Sequence, residues 1–596
     1  MINFDKNNLD NASSPYLQQH KDNPIHWQEW SKEVLAYAKK NNKILFVSSG
    51  YATCHWCHVM AKEAFSDQEI AKYLNEYFVC IKIDREQRLD IDKYLMNFCQ
   101  ETQGQGGWPL NVFLTPDVRP FLAITYVPIN PRYGLPGFLD LVQSVKQTYS
   151  KHDQTVPVYN PPLSQEHDVE EQELIHTIKT TFTGCGFGAG AQFPPHNILL
   201  FLLHYYEKSR DTEVKMILEK ILEMIAMRGL HDHLQGGFYR YCVDESWTIP
   251  HFEKMLYDQA MLLWIYSLAY KVLHKPSYNI ITDNIISCLE QTFSGTLYYS
   301  GHDADTDHHE GATYIWSNDE LQQALTAEEF SQLADLYHLD KNFDGIHLVK
   351  KRIAFLPEIE LKLLRVRKQR AQPFTDRKFI TSWNALLCIA LLINYRYTQN
   401  HRAKIKAKLL FKSILQEHYL DGVLHHSSYH GKLQSGEFLE DYAAMLLCAT
   451  YLYEETGEHK DLIEMWSKRL NDFYEKNWME SKTADFKSFP AQTYDHPMPS
   501  SASLATMAKL RAAIILGKDD IPFSYKQALH YDFFNLTVSL SQGHWHIIHT
   551  PHKIEWKHLP ANVMQLYDSK IQDCYLHQCK EFKNVTDLLG SLVSGV

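Results

Sequence analysis

The first 150 residues alternate between two hydrophobic periods. KILFVSSG (43–50) is an unbroken run of apolar and small residues that predicts a buried strand, and the pattern through VMAKEAF predicts a helix directly after it. A second helix over DQEIAKYLNEYF leads into a strand, FVCIKIDRE (78–86), then a helix, DIDKYLMNFCQ. The core of GGWPLNVFLTPD reads as a third strand, FLAITYVP follows, and a last helix starts near Pro136. Strands alternating with helices predict an α/β domain with a mostly parallel sheet.

A polar, proline-bearing stretch over 151–173 reads as a linker. Beyond it the helical period recurs, interrupted by Gly/aromatic segments near 186, 236, 295, 345, 422 and 486, at intervals of roughly 50 to 77 residues. Each interval holds about two helices, which predicts stacked helical hairpins, and six of them predict a closed (α/α)6 toroid. From about 522 the pattern changes: NLTVSL and HWHIIHT both read as strands, and DCYLHQC carries a cysteine pair. The expected organisation is an α/β domain over 1–150, a linker over 151–173, an all-α toroid over 174–521, and a mixed segment over 522–596 that completes the second domain.

Length supports more than one domain, since 596 residues exceed a single ordinary core. Lys and Arg total 59 against 71 Asp and Glu, with no basic stripe, so neither nucleic acid nor membrane is an expected partner. The N-terminal stretch has neither a basic nor an apolar leader pattern, and the reading is a cytoplasmic protein. Eleven cysteines are too sparse for a disulfide framework. Cys54/Cys57 and Cys574/Cys579 are the close pairs; Cys288, Cys388 and Cys448 read as buried small hydrophobes.

TCHWCHVM (53–60) satisfies three patterns at once: a redox C-x-x-C, a c-type haem attachment and half of a zinc site. Its place between a strand end and a helix start favours the first, because free N–H groups at a helix N-terminus stabilise a thiolate. Cys54 is then the nucleophile and Cys57 the resolving thiol, with Pro109 in a cis peptide after Trp108. An imidazolium at His55 lowers the thiol pKa and makes the pair more oxidising. His58 either does the same or packs. Asp84 either takes a proton near Cys57 or is a satisfied strand-end carboxylate. Haem attachment needs an exposed loop and a distal axial ligand, whereas this site is wedged into a sheet-and-helix core, and zinc needs Cys574 and Cys579 as its second pair; no cofactor and no metal are expected. For Cys574 and Cys579 the favoured reading is packing.

SPYLQQHKDNPIHWQEW, CHWCHVM, KIDREQRLDID and GQGGWPLNVFLTPD together resemble the thioredoxin-like domain of the family containing the spermatogenesis-associated thioredoxin-domain protein and bacterial YyaL-type proteins. QGGFYRYCVDESWTIPHFEKMLYDQA (235–260), HDADTDHHEGATYIW (302–316), TDRKFITSWNALL (375–387) and EFLEDYAAM (437–445) extend the resemblance over most of the chain. It implies a second domain similar to six-hairpin glycosidases and sugar epimerases. Gln192 stands where the family usually has Lys, and PSSAS (499–503) where it usually has Pro-Ser-Gly-Asn-Ser.

In such toroids, loops at one end ring a cleft where carboxylates or histidines act on a sugar. The candidates are His251, Glu253, Asp258, Asp303, Asp305, Asp376 and Asp441, with Trp247, Trp316 and Trp383 as stacking platforms; they are expected to converge at one end of the ring. Hydrogen bonding and capping within loops is the competing reading for the polar ones. Asp303-x-Asp305 can also bind a divalent cation, but no further ligand spacing supports that. The expected activity is thiol–disulfide exchange with a protein thiol partner or with the chain's own second domain. The alternatives are a sugar isomerase, epimerase or hydrolase acting on a small carbohydrate, and a non-enzymatic binding scaffold.

Overall fold

Two short helices, α1 (Pro15–Gln19) and α2 (Lys32–Lys40), lead into strand β1 (Ile44–Gly50). The computed structural model describes residues 2–132, 134–152, 156–162, 171–518 and 532–594. After β1 come α3 (His55–Lys62), α4 (Gln68–Tyr77), β2 (Phe78–Asp84), α5 (Leu89–Gln103), β3 (Leu110–Leu114), β4 (Pro120–Ile124) and α6 (Phe138–His152). The sheet order is β2-β1-β3-β4. Every residue of β1, β2 and β3 is buried, Lys82, Asp84 and Asn111 among them, so these strands are covered on both faces.

The sheet is mixed, which corrects the expectation of a mostly parallel one. β1 pairs parallel with β2, whereas β3 pairs antiparallel with both β1 and β4. The connection from β3 to β4 is too short for a crossover, so it turns the chain back on itself.

The second domain opens with α7 (Glu171–Thr181), α8 (His196–Ser209), α9 (Thr212–Met227), α10 (Leu256–Leu273) and α11 (Pro276–Cys288). A side bundle of α12 (Asn318–Ala324), α13 (Ala327–Leu336) and α14 (Pro357–Arg367) closes its own small core around Leu321, Leu333 and Leu363. Then follow α15 (Thr381–Thr398), α16 (His401–His418), α17 (Leu439–Thr456), α18 (Lys460–Asn471), α19 (Ser501–Leu516) and α20 (Asp532–Ser541).

Helices α10, α15, α17 and α19 are buried along nearly their whole length, the state expected of helices apolar on all sides. Packing runs in cyclic order: α8 on α10, α10 on α15, α15 on α17, α17 on α19, α19 on α20, and α20 back on α8. The amphipathic partners α9, α11, α16 and α18 lie against α8, α10, α15 and α17 respectively.

NLTVSL belongs to α20 and is not a strand. Phe533, Leu536 and Leu540 recur at helical spacing and are buried in the core shared with α8 and α19. That tertiary stripe outweighs the local β-branched composition. The tail ends in a four-stranded sheet with the order Val563–Tyr567, His546–Thr550, Gln572–Tyr575, Gln578–Glu581.

Cys574 and Cys579 stand opposite one another in the last hairpin and form a disulfide. This corrects the packing reading: an antiparallel register that places two cysteines face to face brings their sulfurs within bonding reach. No helix among the described residues is long and apolar enough to cross a membrane.

The domains are joined by buried charge. Lys378 Nζ lies 2.6 Å from Asp84 and 2.9 Å from Glu86 of the first domain, and 3.1 Å from Asp376 of its own. Arg88 reaches Asp485, Thr483 Oγ1 donates to Asp90, and Lys93 contacts both Glu440 and Glu480.

Candidate functional site

Cys54 is the N-cap of α3, and its Sγ accepts the Cys57 N–H at 3.3 Å. The two sulfurs are 2.18 Å apart, and Trp108-Pro109 is a cis peptide. Gly50, at the end of β1, has no room for a side chain: a β-carbon there would stand 2.7 Å from Cys57 Sγ and 2.4 Å from the Tyr16 hydroxyl. Cys54 and Cys57 are only 3% and 1% exposed, while Trp56 between them is 47% exposed. The disulfide is therefore covered, and much of its cover comes from the second domain.

One flank of that cover is Glu253. Thr53 Oγ1 donates to its Oε1 at 2.6 Å, the Tyr51 hydroxyl to its Oε2 at 3.3 Å, and Arg240 to Oε2 at 3.1 Å. Arg240 also donates to the Tyr51 hydroxyl. The other flank is the loop 303–310. His55 Nδ1 donates to Asp305 at 2.8 Å, and Lys62 reaches His308 at 2.6 Å. His251 contacts Glu310 at 2.6 Å, and its ring lies 6.4 Å from that of His55. The hydrogen bond to Asp305 raises the His55 pKa and so favours the protonated ring at the residue next to Cys54.

Arg240 and Trp108 also line a cavity of about 790 Å³ between the domains. From the first domain Arg85, Glu86 and Lys93 contribute to its wall. From the second come Asp258, Trp383, His426, Glu440 and His496. Asp258, in the first turn of α10, has one oxygen with no hydrogen-bond partner, and burial raises its pKa well above its ordinary value, favouring the protonated acid. Its other oxygen is 3.8 Å from His196, which burial lowers to about 3 and so keeps neutral.

Burial also lowers His496 to about 4 and pushes Glu86 up to about 7. His426 Nε2 donates to the Glu86 carbonyl at 2.9 Å, and its Nδ1 shares a hydrogen bond with Asp441 at 2.8 Å. The cavity thus mixes a neutral acid, a neutral base and fixed cations beside aromatic walls.

Residues 6–166 match the family model Thioredox_DsbH, described as a protein of unknown function, DUF255. An uncharacterized protein of Caenorhabditis elegans is 32% identical over 594 residues, covering 86% of this chain and 81% of that one. Human spermatogenesis-associated protein 20 is 31% identical over 558 residues, covering 80% of this chain and 70% of its own. The chain belongs to the spermatogenesis-associated protein 20 family. Its first domain is thioredoxin-like.

Solved structures similar to this family member include a cellobiose 2-epimerase from Spirochaeta thermophila and a sugar epimerase from a ruminal bacterium. The first has TM-score 0.40 and 9% identity, covering 68% of this chain and 87% of that one. The second has TM-score 0.31 and 13% identity, covering 58% and 97%.

The acidic and histidine residues singled out from the sequence face the first domain, in neighbouring groups. His251, Glu253, Asp303 and Asp305 gather around the Cys54–Cys57 loop. Asp258 and Trp383 line the cavity, and Asp441 holds its His426. Asp84 and Asp376 are bound to Lys378, and Asp84 also accepts from Ser14, so it is a satisfied strand-end carboxylate.

Trp247 is no platform: it is buried with its indole N–H donating to the Cys185 carbonyl. Trp316 lies buried under the Arg370 guanidinium, at the wall of a separate cavity. Both carry enough apolar area to serve as core, and their loops fold inward around them.

Gln192 is absorbed locally, donating to the Gly188 and Gly190 carbonyls, and Ser500 of PSSAS caps α19. Sequence reasoning missed Thr53, Tyr51, Arg240, His426 and Lys378. Arg240 and Lys378 lay inside quoted motifs, and their signal was a cation beside acidic neighbours. Only the docked domains reveal what they hold.

Proposed function

We propose that the protein is a thiol–disulfide oxidoreductase acting through Cys54 and Cys57. The placement of Cys54 as N-cap of α3, paired with Cys57 one turn in, carries this reading. In the oxidising direction a substrate thiolate attacks Cys54 Sγ and displaces Cys57 as thiolate. A second substrate thiol then attacks the mixed disulfide, releasing oxidised substrate and reduced Cys54. The helix N-terminus and the His55 imidazolium stabilise the departing Cys54 thiolate.

Both sulfurs are buried, which favours a small thiol compound over a folded protein as partner. Cys57→Ser, reduced and then treated with hydroxyethyl disulfide, is expected to accumulate a mixed disulfide on Cys54, measured as a mass increase on the peptide containing it. Cys54→Ser is expected to accumulate none at Cys57. Equal labelling of the two variants, or labelling no faster than that of the unfolded chain, overturns the assignment.

A second reading is favoured by one observation, the unpartnered buried oxygen of Asp258 at the cavity wall. A neutral carboxylic acid beside Trp383 suits proton donation to a small polyhydroxylated ligand, as in sugar isomerisation or hydrolysis. In this reading the helices α8, α10, α15, α17, α19 and α20 form the inner ring of an (α/α)6 toroid, capped by the thioredoxin-like domain. A monosaccharide or disaccharide is expected to raise the melting temperature of wild type but not of Asp258→Asn. No shift with any sugar overturns this second reading.

A further inference from the structure

His58, Asp303 and Asp305 meet at the seam between α3 and the second-domain loop, beside the Cys54–Cys57 pair. One donor atom from each, His58 Nδ1 and a carboxylate oxygen of each aspartate, lies within 4.8 Å of the other two. His58 Nδ1 stands 3.5 Å from Asp303 Oδ2 and 3.9 Å from Asp305 Oδ2. These distances exceed the roughly 2.7–3.2 Å of a nitrogen–oxygen hydrogen bond. They are close to the spacing of donors around a shared ion: atoms about 2.0–2.1 Å from a tetrahedral centre stand about 3.3 Å apart.

The remaining atom of each group is already engaged. His58 Nε2 donates to the Ala52 carbonyl at 2.9 Å, which leaves Nδ1 turned toward the carboxylates. Asp303 Oδ1 accepts the Asp305 N–H at 3.0 Å, and Asp305 Oδ1 accepts from His55 at 2.8 Å. Three side chains thus each have one polar atom fixed by an outer hydrogen bond and another within 4.8 Å of the other two groups, where His58 also pairs with both carboxylates. That is how a metal site orients its ligands: the second imidazole nitrogen is held by a carbonyl and the carboxylates by neighbouring donors. All three are largely buried, with side-chain exposures of 17%, 6% and 10%.

We propose that His58, Asp303 and Asp305 form a divalent metal site bridging the two domains. One imidazole nitrogen and two carboxylate oxygens select a first-row transition ion such as Zn²⁺ over Ca²⁺, which takes oxygen ligands alone. Three protein ligands leave a fourth position open. Because His58 belongs to the helix that carries Cys57, the ion ties the redox helix to the second domain.

The test uses the full-length protein with both disulfides intact, so that no thiol from either pair can bind metal, after chelation and dialysis. With Zn²⁺ alone, wild type is expected to retain one ion per chain that Asp303→Asn and His58→Gln do not retain, each losing at least 10-fold in affinity. With Co²⁺, wild type is expected to show the visible bands of a nitrogen- and oxygen-ligated ion without a sulfur charge-transfer band, and the variants to lose them. His58→Gln keeps the site readable if Asp303→Asn fails to fold. Retention of zinc by both variants equal to wild type, a sulfur band, or no ion held by wild type would overturn the proposal.

Discussion

Lys378→Met is expected to destabilise the protein by about 3–5 kcal/mol, the usual consequence of removing one partner from a buried ionic cluster. The loss is large because Lys378 is fully buried and faces three carboxylates, Asp84, Glu86 and Asp376, two of which belong to the other domain. Without the ammonium, three acids share a dry seam. Their charges can be relieved only by taking up protons or by parting the domains. Denaturant unfolding checks the magnitude, and followed on both domains it is expected to resolve one transition into two. Adding Glu86→Gln to Lys378→Met is expected to restore part of the loss, since one buried charge is then gone. A loss below about 1 kcal/mol would mean that the cluster is hydrated and that the domains are not held through it.

The second large effect is acid unfolding of the helical domain. Burial holds His196, His231, His302 and His418 at about 3, and His204, His347 and His496 at about 4. Each is neutral in the fold but titrates near 6.5 when unfolded. A histidine with a depressed folded pKa contributes stability that is present above the unfolded value and lost as pH falls below it. Between about pH 6.5 and 4 the unfolded chain therefore binds several more protons than the native one. At pH 5 the summed loss is on the order of 10 kcal/mol. The expected result is a steep drop in melting temperature from pH 7 to pH 5 by calorimetry, with several protons taken up per molecule unfolded. A melting temperature flat over that range would show that these rings are solvated.

The Cys54–Cys57 half of the site was legible because its geometry is local. A strand, two cysteines three residues apart and the start of a helix are contiguous, so the sequence already places Cys54 at an N-terminus and names its neighbour His55. The helical periodicity of the second domain was equally readable, since α10, α15 and α17 are apolar over many turns. The mixed sheet was misread because alternation of strands and helices does not fix strand direction: β3 follows α5 yet runs antiparallel to β1. NLTVSL was misread because its β-branched residues speak locally, while the burial of Phe533, Leu536 and Leu540 depends on α8 and α19.

Composition and spacing determined a chain of more than one domain, a C-x-x-C between a strand and a helix, and a succession of paired helices, because these depend on contacts between residues close in sequence or on periods repeated along it. Tertiary structure alone decided that the second domain covers the cysteines. Glu253 is 200 residues from the Thr53 it holds, and Asp305 is 250 residues from His55. It also decided that the acidic loops divide between the disulfide and the cavity, and that Trp247 and Trp316 are core. Ligands, clamps and core aromatics share the same residue types, and what separates them is the partner brought opposite each one by a fold whose contacts span hundreds of residues.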